Sequence, residues 1–207
     1  MHIPDGVVSV PVLIGGSVVA AAALAVALPR VRSAELPRVA VVSAAFFVVS
    51  LINVPIGATS VHLVLSALMG LVLGWAIVPA VFVGLILQAV FFGFGGIATL
   101  GVTTMNIALP GLLWATVFRN PTLSAKRPAT RGLLAALAAA LSIATSAFLV
   151  IAVLGLSDAS YLASAPVVLL TYVPLMIGEA LVSGFAVIFL VRVMPEALRP
   201  LQATGLA

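Results

Sequence analysis

Residues 61–92 read VHLVLSALMGLVLGWAIVPAVFVGLILQAVFF, an apolar run without a single charged side chain. As one helix this run would measure about 48 Å at 1.5 Å per residue. The hydrocarbon core of a bilayer is only about 30 Å thick. Gly74-Trp75 and Pro79 interrupt the run near its middle. The length and the interruption together predict two short helices that meet near Trp75 to Pro79.

The flanking sequence supplies the other spans. Val7 to Leu28, Val39 to Ile52, Asn106 to Phe118, Gly132 to Leu154 and Val167 to Val191 are apolar. With two helices in 61–92, seven spans result and the loops alternate sides. Arg30, Arg32 and Arg38, then Arg119, Lys126, Arg127 and Arg131, then Arg192 and Arg199, all fall on one side. The loops of the other side (Asn53 to Ser60, Gly93 to Met105 and Gly155 to Pro166) contain no lysine or arginine. Basic residues mark cytoplasmic loops. The expected fold is therefore an all-α integral membrane protein of seven transmembrane helices, N-terminus outside and C-terminus cytoplasmic, forming one domain over 1–207. The place for such a chain is the inner (plasma) membrane of a prokaryote, as a multi-pass protein.

Composition agrees. Hydrophobic residues make up 64% and charged residues 7%, against about 25% charged in soluble domains. No cysteine is present, which excludes disulfides, thiolate metal sites and Fe–S ligation. Lys126 is the only lysine, and no P-loop glycine pattern precedes it. The chain thus carries no nucleotide motor of its own. The pI near 10.8 rests on nine basic residues and signals loop placement, not nucleic acid. No positive segment precedes the first apolar run, so residues 1–6 are expected to stay as an extracellular terminus.

Few residues can carry chemistry. A bulky second residue usually blocks removal of the initiator methionine, so a mature chain starting Met1-His2 is expected. The Met1 amine, the His2 backbone nitrogen and the His2 ring Nδ1 can chelate one metal in fused five- and six-membered rings. An α-amine (pKa about 7.7–8.0) and an imidazole (about 6.5) both give up their protons to a metal near neutral pH. Nitrogen-rich planar sites suit Ni(II) and Cu(II). On the dipeptide alone, an unstructured terminus with a chance histidine is the commoner case.

His62, the other histidine, opens the 61–92 run on the same expected side. It can complete a four-nitrogen square, or simply bond a neighbouring carbonyl. Gly93 to Gly101 is irregular backbone of a kind tolerated where protein covers it or where it lines a cavity. Gln88 before it, and Thr103, Thr104 and Asn106 after it, are polar groups able to orient the histidines. Glu179 lies in the last span, where a carboxylate needs a partner.

These segments resemble one family. Met1-His2-Ile3-Pro4-Asp5-Gly6, Ile52-Asn53-Val54-Pro55 with Gly57-Ala58-Thr59-Ser60-Val61-His62, the run Gln88 to Gly101 with Asn106, and Gly178-Glu179-Ala180 are similar to the CbiM/NikM family. Its members are the substrate-capturing membrane subunits (S-components) of energy-coupling-factor cobalt/nickel transporters. The resemblance covers essentially the whole chain in order. It implies Met1, His2 and His62 as ligands of Co(II) or Ni(II), with Asn53, Ser60, Gln88, Thr103, Thr104 and Asn106 as polar support.

It also implies an ATP-driven uptake role that supplies, among others, cobalamin biosynthesis. The metal is transported substrate, and no prosthetic group or catalytic site is expected. The expected partners are a transmembrane coupling subunit, ATPase subunits and a small accessory membrane subunit. With 16 residues after Val191, that accessory subunit is expected as a separate chain. Phe94 stands where many members carry an acid, and Thr103 near where many carry asparagine. A stand-alone divalent-cation channel or secondary carrier is the alternative from another class. It usually needs a charged pathway, and the spans offer only Glu179.

Overall fold

The structure, a computed structural model, describes residues 3–51, 53–56 and 59–198, with 53–56 and 59–61 described by their backbone alone. Seven helices occur among them: α1 (Val10–Ala27), α2 (Leu36–Ser50), α3 (Ser66–Leu73), α4 (Ile77–Phe92), α5 (Leu100–Ser124), α6 (Pro128–Ser157) and α7 (Ala165–Val193). Between α2 and α3 stands a two-stranded antiparallel hairpin, β1 (Asn53–Ile56) and β2 (Thr59–His62). Short 3₁₀ turns at Leu28–Arg30, Ser33–Glu35, Gly74–Ala76, Ala159–Ser164 and Pro195–Leu198 join or end the helices. The chain is a multi-pass membrane protein: Val10–Arg30, Ser33–Ser50, Ser66–Phe92, Leu100–Ser124, Pro128–Ser157 and Ala159–Val193 are each long and apolar enough to cross a bilayer.

Ser66–Phe92 is interrupted, and the chain reverses inside it. A Cβ on Gly70 would touch Gly111 and Ala115, and Arg119 donates to Gly70 O at 2.8 Å and Leu71 O at 3.1 Å. Contacts thus advance along both helices, so α3 runs parallel to α5. In α4 the order is opposite. Ile77 meets Gly111, while Leu85 and Ala89 share a small cavity with Leu100 and Thr103. The reversal falls at Gly74–Ala76, where Gly74 takes a φ of +58°. Only glycine adopts that region without a Cβ penalty.

The helices pack closely because small residues line their contacts. Gly84 lies against the Phe46 ring, Gly101 against Ser17, Gly111 against Ser66, and Gly132 against Gly184 and Ile188. In α2, Ser43 Oγ donates to Ala80 O at 2.8 Å. Large apolar side chains on the outward faces of α1 and α7, such as Val10, Ile14, Val18, Ile177, Leu181 and Phe185, are exposed, as lipid contact requires. By contrast α3 is buried on nearly every side. Its helical neighbours are α4, α5, α6 and α7.

Arg30 stacks over the Trp75 ring at 5.2 Å, and Arg119 lies beside Gly74. The α3–α4 reversal therefore sits at the basic end of the bundle. The opposite end holds the N-terminal segment and the glycine-rich link Gly93–Thr99, joined by the Asp5 to Thr99 bond.

Several boundaries differ from the sequence expectation. The first span begins at Val10 instead of Val7, and the second runs Leu36–Ser50 instead of Val39 to Ile52. Val61 to Leu65 is not helical, because His62 ends a strand and Leu65 holds a φ of +55°. A residue in the left-handed region cannot continue a right-handed helix backwards. Gly93 to Met105 is not all loop either. Helix α5 starts at Leu100, so Thr103 and Thr104 lie buried within it. It also continues past Phe118 to Ser124, carrying Pro110 and Pro121 inside.

Candidate functional site

Met1 and His2 lie outside the described residues, but the chain that leads to them is firmly seated. The Thr99 hydroxyl donates to Ile3 O at 2.7 Å, and Thr99 N donates to Asp5 Oδ1 at 3.2 Å. Ile3 is buried with Val8 against Val102, with Val153 alongside. The seat depends on glycine. A Cβ on Gly96 would lie 1.8 Å from Asp5 Oδ1, so only a bare α-carbon leaves room for the carboxylate. Gly93 and Gly95 have φ of +64° and +76° and turn the link back toward α5. Asp5 and Thr99 lie within the segments compared above, yet neither carries a role there. The signal was a lone acid beside the terminus and a lone hydroxyl after a glycine run.

His62 is 4% exposed. It sits at the end of β2, in register with Asn53 on β1. Asn53 and Ser60 are thereby placed in the hairpin by backbone alone. The His62 ring Nδ1 lies 3.1 Å from Leu63 O. Immediately after it, the Glu179 carboxylate accepts from Leu65 N at 2.8 and 3.0 Å through its two oxygens, and from Val64 N through Oε1. The partner that Glu179 requires in the membrane is therefore this chain's own backbone. Those two N–H groups precede α3 in a left-handed turn and have no place in its ladder, so a buried acceptor is needed.

The depth of this turn matters. Ser66 O lies beside Gly111, and Gly111 is eleven residues into α5, about 16 Å along its axis. The turn that follows His62 thus ends inside the bundle, at the level of Gly111, instead of capping its end. This differs from the expected outside loop followed at once by a helix.

The expected polar groups divide. Gln88 is fully buried and donates through Nε2 to Ser50 Oγ, tying α4 to α2. Thr104 Oγ1 donates to Leu100 O of its own helix at 2.7 Å. Neither bond reaches the terminus. Thr103 and Asn106 differ. Both are buried, one turn apart on the same face of α5. Thr103 Oγ1 and Asn106 Nδ2 make no hydrogen bond to any described residue. Thr103 and Gly96 line one small cavity of about 10 Å³, which joins this face to the seat of Asp5. The Asn106 backbone carbonyl accepts from Ser146 Oγ at 2.7 Å, and Ser66 and Ser142 pair at 2.9 Å. A polar seam runs from α5 through α6 to the start of α3. Phe94 stacks on Phe92 with ring centroids 5.8 Å apart.

Among the described residues no three histidine or carboxylate side chains come together.

The chain is similar to several known proteins. A metal transport protein of Haemophilus influenzae is 37% identical over 199 residues, 96% of this chain and 97% of its own. The fused nickel transport protein NikMN of Rhodobacter capsulatus is 37% identical over 124 residues, 54% of this chain and 34% of its own length. The crystal structure of a transition metal transporter superposes with a TM-score of 0.83 at 26% identity, covering 93% of each chain. A truncated transition metal transporter gives 0.81 at 25% identity, covering 93% of this chain and 99% of that one. Residues 2–197 match the family CbiM, described as the cobalt uptake substrate-specific transmembrane region, and the chain belongs to that family of membrane transport proteins.

Proposed function

We propose that this protein is the metal-capturing subunit of an ATP-driven uptake system for Co(II) or Ni(II). The Met1 amine, the His2 amide and ring Nδ1, and a ring nitrogen of His62 hold the metal, which is cargo. The observation that carries this reading is the seating of Ile3 and Asp5 on Thr99 and Gly96. It holds Ile3, the residue that follows the proposed chelate, against the helix that carries Thr103 and Asn106.

Distance supports the meeting. Two residues before Ile3 reach up to about 7 Å. His62 lies four residues above the Gly111 level, at most about 14 Å of extended chain. Thr103 lies about 12 Å above the same level along α5. These reaches overlap, so the chain lengths allow the proposed meeting of His62 with the first two residues. The unsatisfied Thr103 hydroxyl and Asn106 amide are groups that a chelated terminus can satisfy. Buried polar atoms left unpaired cost about 1–3 kcal/mol each.

The order of contacts along α3, α4 and α5 supports seven passes, and the gathering of arginines at one end supports an N-terminus outside and a cytoplasmic C-terminus. The chain then lies in a prokaryotic inner membrane and carries no ATPase. It acts with a transmembrane coupling subunit, ATPase subunits and a small accessory membrane subunit. Cobalt and nickel are separated by direct competition, with metal analysis of purified protein bearing an untagged terminus. Uptake is then measured with and without the ATPase subunits. Metal capture with ATPase-dependent uptake fits the proposal. Equal uptake without those subunits rejects it in favour of a channel or secondary carrier.

A further inference from the structure

The link between Glu179 and His62 runs through one peptide group. Val64 N, which donates to Glu179, and Leu63 O, which faces His62 Nδ1 at 3.1 Å, belong to the same amide. A carbonyl oxygen has no proton to give, so the ring nitrogen facing it is the donor, Nδ1–H. The proton position then follows: in the neutral ring the lone pair is on Nε2.

Building on the metal-capture reading above, we propose that Glu179 is a positioning residue for His62. The carboxylate anchors the 63–64 amide plane, that amide holds Nδ1–H, and His62 presents Nε2 to the metal. Metal-binding histidines commonly have their second nitrogen held by a carboxylate or a carbonyl. Here the two are in series, carboxylate to amide to imidazole, and hydrogen bonds in series polarise one another. Three further observations favour the arrangement. Glu179 is 0% exposed, so its bonds do not compete with water. Leu65 is anchored by both oxygens, which fixes the orientation of the carboxylate. A Cβ on Gly178 would lie 3.5 Å from Leu63 Cδ2, so α7 sits directly against the turn. The last helix is thereby joined to the ligand turn, and a shift of α7 relative to α3 moves the His62 ring.

The test uses Glu179→Ala, Glu179→Gln and His62→Ala in the full chain with its authentic terminus, purified in detergent. Co(II) is titrated into each. Loss of such an outer partner typically weakens metal binding about 10–100-fold, and that range is expected for Glu179→Ala. Glu179→Gln keeps an oxygen acceptor and is expected to stay within about threefold of the parent. In the His62→Ala background, Glu179→Ala is expected to add nothing, because the carboxylate acts through that ring. A metal-free readout runs in parallel. With His2 replaced by alanine, ¹⁵N NMR of the one remaining histidine reports its tautomer. The Nδ1–H form is expected where Glu179 is kept, and a tautomer mixture in the Glu179→Ala variant. Parent-like affinity together with an unchanged tautomer in Glu179→Ala overturns the proposal. So does an equal Glu179→Ala loss with and without His62, which would mean general unfolding. If the parent itself binds no Co(II) or Ni(II), the metal-capture reading fails while the tautomer measurement still decides the role of Glu179.

Discussion

Asp5 and Gly96 share one space: the carboxylate of the first fills the place a side chain on the second would need, with the Gly96 Cβ position 1.8 Å from Asp5 Oδ1. Gly96→Ala must therefore expel Asp5 and release Thr99 N. The seat of the terminus loosens with it. We expect Gly96→Ala and Asp5→Ala each to weaken Co(II) or Ni(II) binding by about tenfold, the scale of one charge-assisted hydrogen bond. Calorimetric titration of the purified variants measures it. Parent-like affinity in both would separate the seat from the metal.

A free α-amine on Met1 is required by the proposed chelate, since two of its four nitrogens belong to the backbone of the first two residues. An N-terminal tag, or one extra residue before Met1, should abolish metal uptake at normal expression. Mass spectrometry of the mature terminus accompanies the assay, and full uptake with a retained tag would contradict the chelate.

His2→Ala and His62→Ala should each remove tight metal binding while leaving the helices folded. The chain holds no third histidine, so neither ring can be replaced. Circular dichroism checks the fold and metal titration checks the site. Tight binding in the double variant would place the site elsewhere.

Metal affinity should rise with pH through the neutral range. Nitrogen ligands must lose protons before they bind, so protons compete with metal and the competition fades as pH increases. The sign is opposite to that of a site lost by deprotonation. Titrations at about pH 5.5, 6.5, 7.5 and 8 span the free imidazole and α-amine pKa values, and a flat profile would point to oxygen ligands.

Close packing of α3 on α5 predicts a stability effect independent of metal. A Cβ on Gly111 would lie 2.6 Å from Ser66 O, and one on Gly70 would lie 2.5 Å from Gly111 O. Both obstacles are backbone, so neither moves aside cheaply. Gly111→Ala and Gly70→Ala should each destabilise by about 1–3 kcal/mol, read as a lowered Tm in detergent. Gly15→Ala, where nothing lies within 4 Å, should leave Tm unchanged or raise it.

Much of this protein is legible without coordinates. Twenty-odd apolar residues must become membrane helices, because no other backbone satisfies its own hydrogen bonds in lipid. The excess length of residues 61–92 predicts a break in the run, since about 48 Å of helix does not fit a core of about 30 Å, and a 3₁₀ turn at Gly74–Ala76 separates α3 from α4. The scarcity of titratable groups likewise narrows the chemistry to two histidines, a terminus and one intramembrane acid. These are consequences of composition and spacing, and they act over short stretches of chain.

What only the tertiary structure decided depends on contacts between residues far apart in sequence. The descent of the turn after His62 into the bundle is invisible in an apolar run, because turn and helix residues there have the same hydropathy. Leu65 takes a left-handed turn because α7, 114 residues later, supplies a carboxylate to its N–H. Asp5 finds Thr99 across 94 residues. Thr103 and Thr104 are neighbours of identical type. Yet one hydroxyl is bonded to its own helix, and the other is buried with no bond to a described residue. Successive side chains on a helix point about 100° apart, and only packing determines which of them faces the interior.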